Sequence, residues 1–223
     1  KNYDLVICID SPDFNYNLVK KLRKKGFKNK IIQIVAPTVW AWRKNRALKF
    51  SKIYDEIFTL FRFENKYFQN NDIKTTFIGH PIYYINNSTN NDKKYISFLP
   101  GSRKKEVDTL FPYFETIYNY LYNNKDNNFD IFIPTLPHLK KIIIKKTKHW
   151  KIKTIITTDI NIIDECYKKV FVSLTCSGTA SLEIAKRLIP QIIIYKLNFF
   201  TVLFFKLLVK VKYANLINII NNK

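Results

Sequence analysis

Short apolar runs alternate with amphipathic, lysine-rich stretches along the chain. Continuous runs rich in β-branched residues predict parallel strands covered on both faces, because such strands are apolar throughout rather than at every second position. The predicted strands are 5–9, 31–35, 56–60, 75–78, 95–99, 129–133, 153–157, 170–174 and 191–195. Helical stretches lie between them, which predicts an α/β fold with doubly wound parallel sheets.

A polar, asparagine-rich stretch interrupts this alternation at 83–94 and is typical of a linker. We therefore predict a first Rossmann-like domain at 1–82 and a second at 95–196, followed by C-terminal helices at 197–223. Ligands of open α/β sheets bind at the carboxyl ends of the strands. The two sheets are accordingly expected to face each other across a cleft.

Two turns carry the strongest signal for chemistry. Pro100-Gly101-Ser102-Arg103 follows one predicted strand, and Ser177-Gly178-Thr179 follows another. A strand, a small-residue turn and a helix together aim backbone N–H groups at an anion, and the helix dipole adds about half a positive charge. Arg103 can grip a phosphate with two parallel hydrogen bonds. Either turn alone could be ordinary, but the pair favours a nucleoside diphosphate site.

Three further places offer candidate residues. Asp10 ends the first predicted strand and could act as a general base or bind a hydroxyl, whereas Asp13 is expected to cap the next helix. Glu183 lies about one and a half turns into the helix after the second turn. It could accept hydrogen bonds from a ribose, or it could be an ordinary glutamate that the helix dipole favours.

The loop after the second strand contains Trp40, Trp42 and Arg43, and His80 lies before the predicted linker. Tryptophans in a strand-end loop either pack into the core or line a cleft, because exposing them is costly. Arg43 could contact a phosphate or anchor the loop. We take these four residues as candidates for the acceptor side of a site.

Charge and cysteine content narrow the class of protein. The 38 Lys and Arg outnumber the 17 Asp and Glu, which gives a formal net charge of +21. Such a chain is attracted to anionic lipid, phosphorylated substrates or nucleic acid, although much of the charge could be solvated surface. The chain has no recognised nucleic-acid motif and no convincing metal-ligand spacing. Its three cysteines fit buried thiols in a reducing compartment.

The segment 198–211 combines an apolar helical face with lysines. It is too interrupted to predict a membrane span, but it could lie in the bilayer interface or pack back across the first domain. The chain begins without methionine and enters a strand directly, so we expect no secretory signal and an absent N-terminal part.

Five motifs carry a family resemblance. They are Cys8–Asn15 (CIDSPDFN), Pro37–Arg43 (PTVWAWR), Phe77–Pro81 (FIGHP), Leu99–Arg103 (LPGSR) with Glu106, and Ser177–Glu183 (SGTASLE). In this order they resemble the lipid-A-disaccharide synthase family, from the first residues to about Asn215. The resemblance implies a GT-B fold, with two Rossmann-like sheets of which the first is incomplete here. The family's N-terminal Gly-rich turn and its C-terminal tail are absent, Cys8 replaces a usual glycine, and Arg62 replaces a usual proline.

The resemblance also implies an activity. Such enzymes join UDP-2,3-diacylglucosamine to 2,3-diacylglucosamine 1-phosphate, with inversion and release of UDP, and use no cofactor or metal. Asp10 would deprotonate the acceptor hydroxyl, and Arg103 with the helix after Gly178 would stabilise the leaving diphosphate. Glu183 would hold the ribose. The enzyme would be peripheral on the cytoplasmic face of the inner membrane, with a homodimer left open.

Two other classes remain open from the sequence. One is another UDP-sugar enzyme of this architecture, either a peptidoglycan-precursor transferase or an epimerase, which would not need the aromatic segment 198–211. The other is an inactive basic fragment that binds a membrane or RNA. Binding to nucleic acid would weaken steeply with salt, whereas UDP binding would weaken mildly.

Overall fold

A computed structural model describes residues 3–40, 45–69, 71–85, 92–124, 128–176, 178–194, 196 and 217–218. The chain divides into two compact units, with the boundary between Tyr83 and Tyr84. Each unit contains one parallel sheet, so the predicted α/β class with two parallel sheets is confirmed. The roles assigned to the predicted domains stay predictions.

The first unit is built on a parallel sheet in the order β1-β2-β3-β4. Its elements are β1 (Leu5–Ile9), α1 (Pro12–Lys24), β2 (Lys30–Ile34), α2 (Arg46–Ser51), β3 (Glu56–Thr59), a 3-10 turn (Arg62–Glu64), α3 (Lys66–Gln69), β4 (Lys74–Phe77) and a second 3-10 turn (Pro81–Tyr84). Its core joins Ile31 and Ile57 of the sheet to Val19, Phe50 and Phe68 of the helices.

Strand β1 forms one edge of this sheet in the described part of the chain. Cys8 is buried, but the alternate residues Leu5, Ile7 and Ile9 are exposed. The prediction that both faces of this strand are covered is therefore wrong for the described residues. A continuous apolar sequence does not indicate which face of the strand is covered by a neighbouring layer of the structure.

The second unit has a parallel sheet in the order β7-β6-β5-β8-β9. Its elements are β5 (Tyr95–Leu99), α4 (Lys104–Asn123), β6 (Asp130–Pro134), α5 (Pro137–Thr147), β7 (Thr154–Thr157), α6 (Ile160–Lys168), β8 (Val170–Cys176), α7 (Thr179–Lys186) and β9 (Gln191–Ile194). The chain runs outward from β5 in one direction and then returns to β8 on the other side. The point of reversal is where ligands of open α/β sheets bind.

An aromatic core packs α4 against this second sheet. Tyr118 stacks on Trp150 with ring centroids 4.4 Å apart, and Phe98 of β5 packs against Phe114 at 5.1 Å. The Trp150 indole donates to the Glu115 carboxylate at 3.0 Å, which satisfies its N–H group. Helix α4, whose N-terminus follows the first candidate turn, is thereby held rigidly against the sheet.

The start of α1 differs from the prediction in one respect. The helix begins at Pro12, and Ser11 precedes it without a side-chain cap. Asp13 does not cap the helix; its Oδ1 pairs with Nη2 of Arg46 at 2.5 Å. Proline suits the first helical position, because the N–H group that it lacks would have no partner within the helix there. The helix therefore starts at Pro12, and Asp13 lies inside its first turn instead of capping it.

Some predictions fall outside the described residues. They concern Trp42, Arg43, Ser177, residues 86–91 of the predicted linker and the segment 198–211. Among the helices that the structure describes, none combines the length and apolar character needed to cross a bilayer.

Candidate functional site

A cavity of about 440 Å³ opens at the carboxyl edge of the second sheet. Three strand-end turns contribute to it: Pro100–Arg103 after β5, Pro134–Leu136 after β6, and the turn at Gly178 after β8. The faces of α6 and α7 close the remaining side. Turns after β5 and β8 flank the point where the strand order reverses, so the cavity occupies the usual ligand position of such a sheet.

The turn after β5 is shaped around Glu106. One carboxylate oxygen, Oε2, accepts hydrogen bonds from the backbone N–H groups of Ser102 at 2.9 Å and Arg103 at 3.2 Å. Gly101 has φ +112°, and a Cβ there would lie 2.7 Å from the same oxygen. Only glycine therefore lets the carboxylate approach so closely. The prediction that these amides are free for an anion is wrong, because Glu106 already occupies them.

Arg103 is bound to the same glutamate. Its Nη1 atom lies 2.9 Å from Oε1 of Glu106, and 80% of the side chain is exposed. A guanidinium has five N–H donors, and this contact engages a small part of them. Arg103 consequently keeps donors on the cavity wall while Glu106 fixes its direction.

The turn after β8 leads into α7. Gly178, with φ +123°, precedes the helix, and its carbonyl accepts the Ser181 hydroxyl at 2.7 Å. The first N–H groups of a helix have no intrahelical partner, so Thr179 and Ala180 begin α7 with backbone donors beside the cavity. The predicted order of strand, glycine turn and helix is present here, and the glycine has open space around it. Binding of an anion at this end stays a prediction.

Glu183 projects from the first half of α7 and lines the same cavity. Its Oε1 atom accepts from Nε of Arg187 at 3.2 Å. Buried Tyr167 of α6 also lines the cavity, and desolvation raises the pKa of its hydroxyl, which keeps it protonated. The lining of the cavity thus combines cationic, anionic and aromatic groups.

Cys176 also lines this cavity. Burial raises the pKa of its thiol to about 11, so it is protonated at neutral pH and is a poor nucleophile. The prediction of buried thiols is confirmed for Cys8 and Cys166, which are free and buried, but is wrong for Cys176, which is free and only partly buried. Within the described ranges, no three His, Cys, Asp or Glu side chains form a group suited to a metal ion.

In the first unit, the turn at Asp10 is held by its backbone. Asp10 has φ +51° and Ser11 has φ +38°, values that non-glycine residues rarely adopt. The Asp10 carbonyl accepts from Nδ2 of Asn15 at 2.6 Å and from Nε2 of Gln33 at 3.0 Å. Both amide side chains are buried, whereas Asp10 itself is exposed. Asp10 directly follows the last residue of β1, as predicted.

Trp40 and His80 belong to one aromatic cluster at the same edge of the first sheet. The Trp40 ring packs edge-on against Phe63 at 5.6 Å, and Phe61 stacks on both Phe63 and His80. The His80 Nδ1 accepts the Ile82 N–H at 3.1 Å, and desolvation lowers the pKa of the ring. For Trp40 these contacts favour the packing alternative. A role of either residue in binding an acceptor stays a prediction.

Six of the residues predicted for UDP line one cavity: Gly101, Ser102, Arg103, Gly178, Thr179 and Glu183. The sequence interpretation missed Leu136, Ile163 and Tyr167, which are apolar or aromatic residues with no motif around them. It also missed Arg187, although a basic residue four positions after Glu183 on a helix is a recognisable pairing signal.

Two parallel sheets and a cavity at the switch point of the second define an α/β protein of the GT-B type. Comparisons with known proteins agree. The chain matches the lipid-A-disaccharide synthetase family over residues 1–223, and it belongs to that family. It is 34% identical to the lipid-A-disaccharide synthase of Rickettsia bellii, with 99% of this chain and 60% of that protein covered. With that of Rhodospirillum centenum the identity is 29%, over 97% and 57%.

The chain therefore spans 57–60% of the length of these relatives. Among solved structures, it resembles S. aureus MnaA in a co-structure with UDP, with TM-score 0.58, 16% identity, and 98% of this chain and 66% of that chain covered. A putative UDP-N-acetylglucosamine 2-epimerase from Listeria monocytogenes matches with TM-score 0.53, 13% identity, and coverage of 98% and 64%. These structures support the fold alone.

Proposed function

We propose that the cavity of the second unit binds the UDP part of a UDP-sugar. The observation that carries this proposal is the convergence of two strand-end turns at the switch point. Arg103 and the N-terminus of α7 supply positive charge for the diphosphate. Glu183 supplies an acceptor for the ribose hydroxyls, and the apolar residues Leu136 and Ile163 offer surface for the base.

The reaction that we propose for the whole protein is the transfer of diacylglucosamine from UDP-2,3-diacylglucosamine to 2,3-diacylglucosamine 1-phosphate. The products are the β-1,6-linked disaccharide 1-phosphate and UDP. Family membership over residues 1–223 supports this choice over the epimerase or another transferase. A protein of this function contributes to lipid A biosynthesis in Gram-negative bacteria.

In this proposal the residues take separate roles. Asp10 removes the proton from the acceptor's 6-hydroxyl, and that oxygen attacks the anomeric carbon with inversion. Negative charge then grows on the departing diphosphate, where Arg103 and the backbone amides at the start of α7 stabilise it. The backbone of Asp10 is held by two buried amide side chains, which supports its role by fixing where the residue lies at the end of β1.

We further propose that the protein works as a peripheral protein at the cytoplasmic face of the inner membrane. Both proposed substrates carry acyl chains, and the net charge of +21 favours an anionic surface. The aromatic, basic segment 198–211 is the part of the sequence that fits this contact best.

Calorimetric titration of UDP into the 223-residue chain tests the binding site. Arg103→Ala should weaken UDP binding at least about 10-fold, because hydrogen bonds to a charged group are worth about 1.5–3 kcal/mol. Arg62→Ala is a matched control, since its guanidinium lies 5.1 Å from the Phe77 ring in the first unit. UDP affinity that is unchanged in Arg103→Ala, or equally reduced in both variants, would contradict the site.

A further inference from the structure

Arg187 forms the centre of a charged cluster beside the proposed ribose position. Its Nη2 atom lies 2.5 Å from Oδ1 of Asp164 on α6 and 3.1 Å from Oε1 of Glu183 on α7. The guanidinium carbon lies 4.5 Å from the centroid of the Tyr167 ring. With 12% of its side chain exposed, Arg187 is held from three sides. Such enclosure is unusual for arginine unless its charge is paired.

Arg187 contacts one of the two carboxylate oxygens of Glu183. Nε and Nη2 of Arg187 both reach Oε1 of Glu183, at 3.2 Å and 3.1 Å. The Glu183 side chain remains 32% exposed and contributes to the wall of the 440 Å³ cavity. An arginine that grips one carboxylate oxygen fixes the rotamer and leaves the other oxygen, Oε2, for a ligand.

The cluster also connects two helices that frame the cavity. Asp164 is on α6, Glu183 is on α7, and Arg187 follows the last turn of α7. Asp164 holds the same Nη2 atom from a different helix, so Arg187 stays anchored if the glutamate side chain rotates. A pre-positioned acceptor loses less side-chain entropy when the ligand binds.

We propose that Arg187 is a positioning residue, which aims the Glu183 carboxylate at the vicinal hydroxyls of the nucleotide's ribose. The inference rests on the proposed function and deepens it, because it makes the selectivity for a ribonucleotide depend on a residue that does not touch the nucleotide. Loss of Arg187 leaves the diphosphate contacts in place and removes the discrimination between ribose and a sugar without hydroxyls.

The test compares UDP with 2′,3′-dideoxy-UDP as calorimetric titrants of the full 223-residue chain. The wild-type chain should prefer UDP at least about 10-fold, because two hydroxyl groups would be lost from a charged acceptor. Arg187→Met should bring that preference to within about threefold and leave the affinity for dideoxy-UDP nearly unchanged. Arg187→Lys should retain part of the preference, since lysine keeps the charge without the planar fork.

Lys146→Met is the matched control. Lys146 also pairs with a carboxylate, Asp108 at 3.0 Å, and lies 5.3 Å from the centroid of an aromatic ring, Phe111. It is absent from the lining of the cavity, so its loss should leave the preference for UDP intact. Asp164→Asn is the second variant, and it should reduce the preference partially, because it loosens Arg187 without removing it.

Each outcome separates the two proposals. A folded Arg187→Met chain that keeps the full preference for UDP overturns the inference, as does an equal loss of both affinities. If Arg187→Met fails to fold, an unchanged preference in Asp164→Asn overturns it, and a reduced preference supports it. Absence of UDP binding to the wild-type chain overturns the proposed function itself.

Discussion

Each unit has a strand-end turn in which a glutamate accepts hydrogen bonds from two consecutive backbone N–H groups, but the surroundings of the two turns differ. After β3, Oε2 of Glu64 accepts the backbone N–H groups of Leu60 and Phe61, both at 3.0 Å. After β5, Oε2 of Glu106 accepts those of Ser102 and Arg103 at 2.9 Å and 3.2 Å. In both turns a glutamate satisfies consecutive amides that the strand no longer pairs.

Burial separates the two turns. Glu64 is 6% exposed and also accepts a hydrogen bond from the Trp40 side chain. The Glu106 side chain is 36% exposed, is paired with Arg103, and lines the cavity of the second unit. The same motif is therefore internal in one unit and open to a ligand in the other. A turn with the backbone shape of a phosphate-binding turn becomes a candidate site when a ligand can reach it and a cation lies beside it. The backbone shape alone is not enough.

The largest expected effect is that of Gly101→Ala. The new Cβ would lie 2.7 Å from Oε2 and 2.8 Å from Cβ of Glu106, at a φ of +112°. Backbone strain of about 1–3 kcal/mol then adds to displacement of the glutamate, so we expect a total loss of about 3 kcal/mol or more. Urea denaturation measures the free energy of unfolding, and UDP titration should show the site lost.

Gly178→Ala is the control for this change. Its φ of +123° gives comparable strain, but no atom lies within 4 Å of the added Cβ. We expect a smaller loss, about 1–2 kcal/mol. Equal losses for the two variants would mean that close approach of Glu106 is not what requires glycine in the turn after β5.

The second prediction compares the glutamates directly. Glu64→Leu leaves the N–H groups of Leu60 and Phe61 without their acceptor in a buried place, and should cost about 2–3 kcal/mol. Glu106→Leu exposes its amides to water in the cavity and should cost about 1 kcal/mol. Chemical denaturation of both variants gives the comparison. A larger cost at Glu106 would reverse our assignment of the internal and the open turn.

Strand positions were predictable in both units, since every strand of the two sheets ends within two residues of the end predicted for it. Gly101 and Gly178 correctly marked the turns, because their positive φ angles demand glycine. The sequence pattern did not predict that the Glu106 carboxylate accepts hydrogen bonds from the backbone N–H groups of Ser102 and Arg103. This contact depends on the side-chain rotamer and on a distance of 2.9 Å, which a spacing in the sequence does not encode.

The cluster around Arg187 shows a second kind of limit. The pairing of Arg187 with Glu183 is local and follows helical spacing, so it could have been inferred. Asp164 and Tyr167 reach Arg187 from another helix, and that contact requires the packing of α6 against α7. Sequence patterns indicate which face of a helix is buried, but not which polar groups meet across two helices.

The smallest effect concerns pH. Desolvation raises the pKa of the buried Glu64 carboxyl above its ordinary value of 4.5. The folded state therefore holds this proton at pH values where the unfolded chain has released it. The resulting stabilisation is fully present below the unfolded pKa and is lost as pH rises through the folded pKa. Glu64→Gln removes this titration and keeps an oxygen acceptor for the amides.

We thus expect the wild-type free energy of unfolding to fall more steeply with rising pH than that of Glu64→Gln, from about pH 4.5 upward. Urea denaturation at several pH values measures the two slopes. If Glu64→Gln kept the wild-type slope, burial of this glutamate would not be what couples folding to pH.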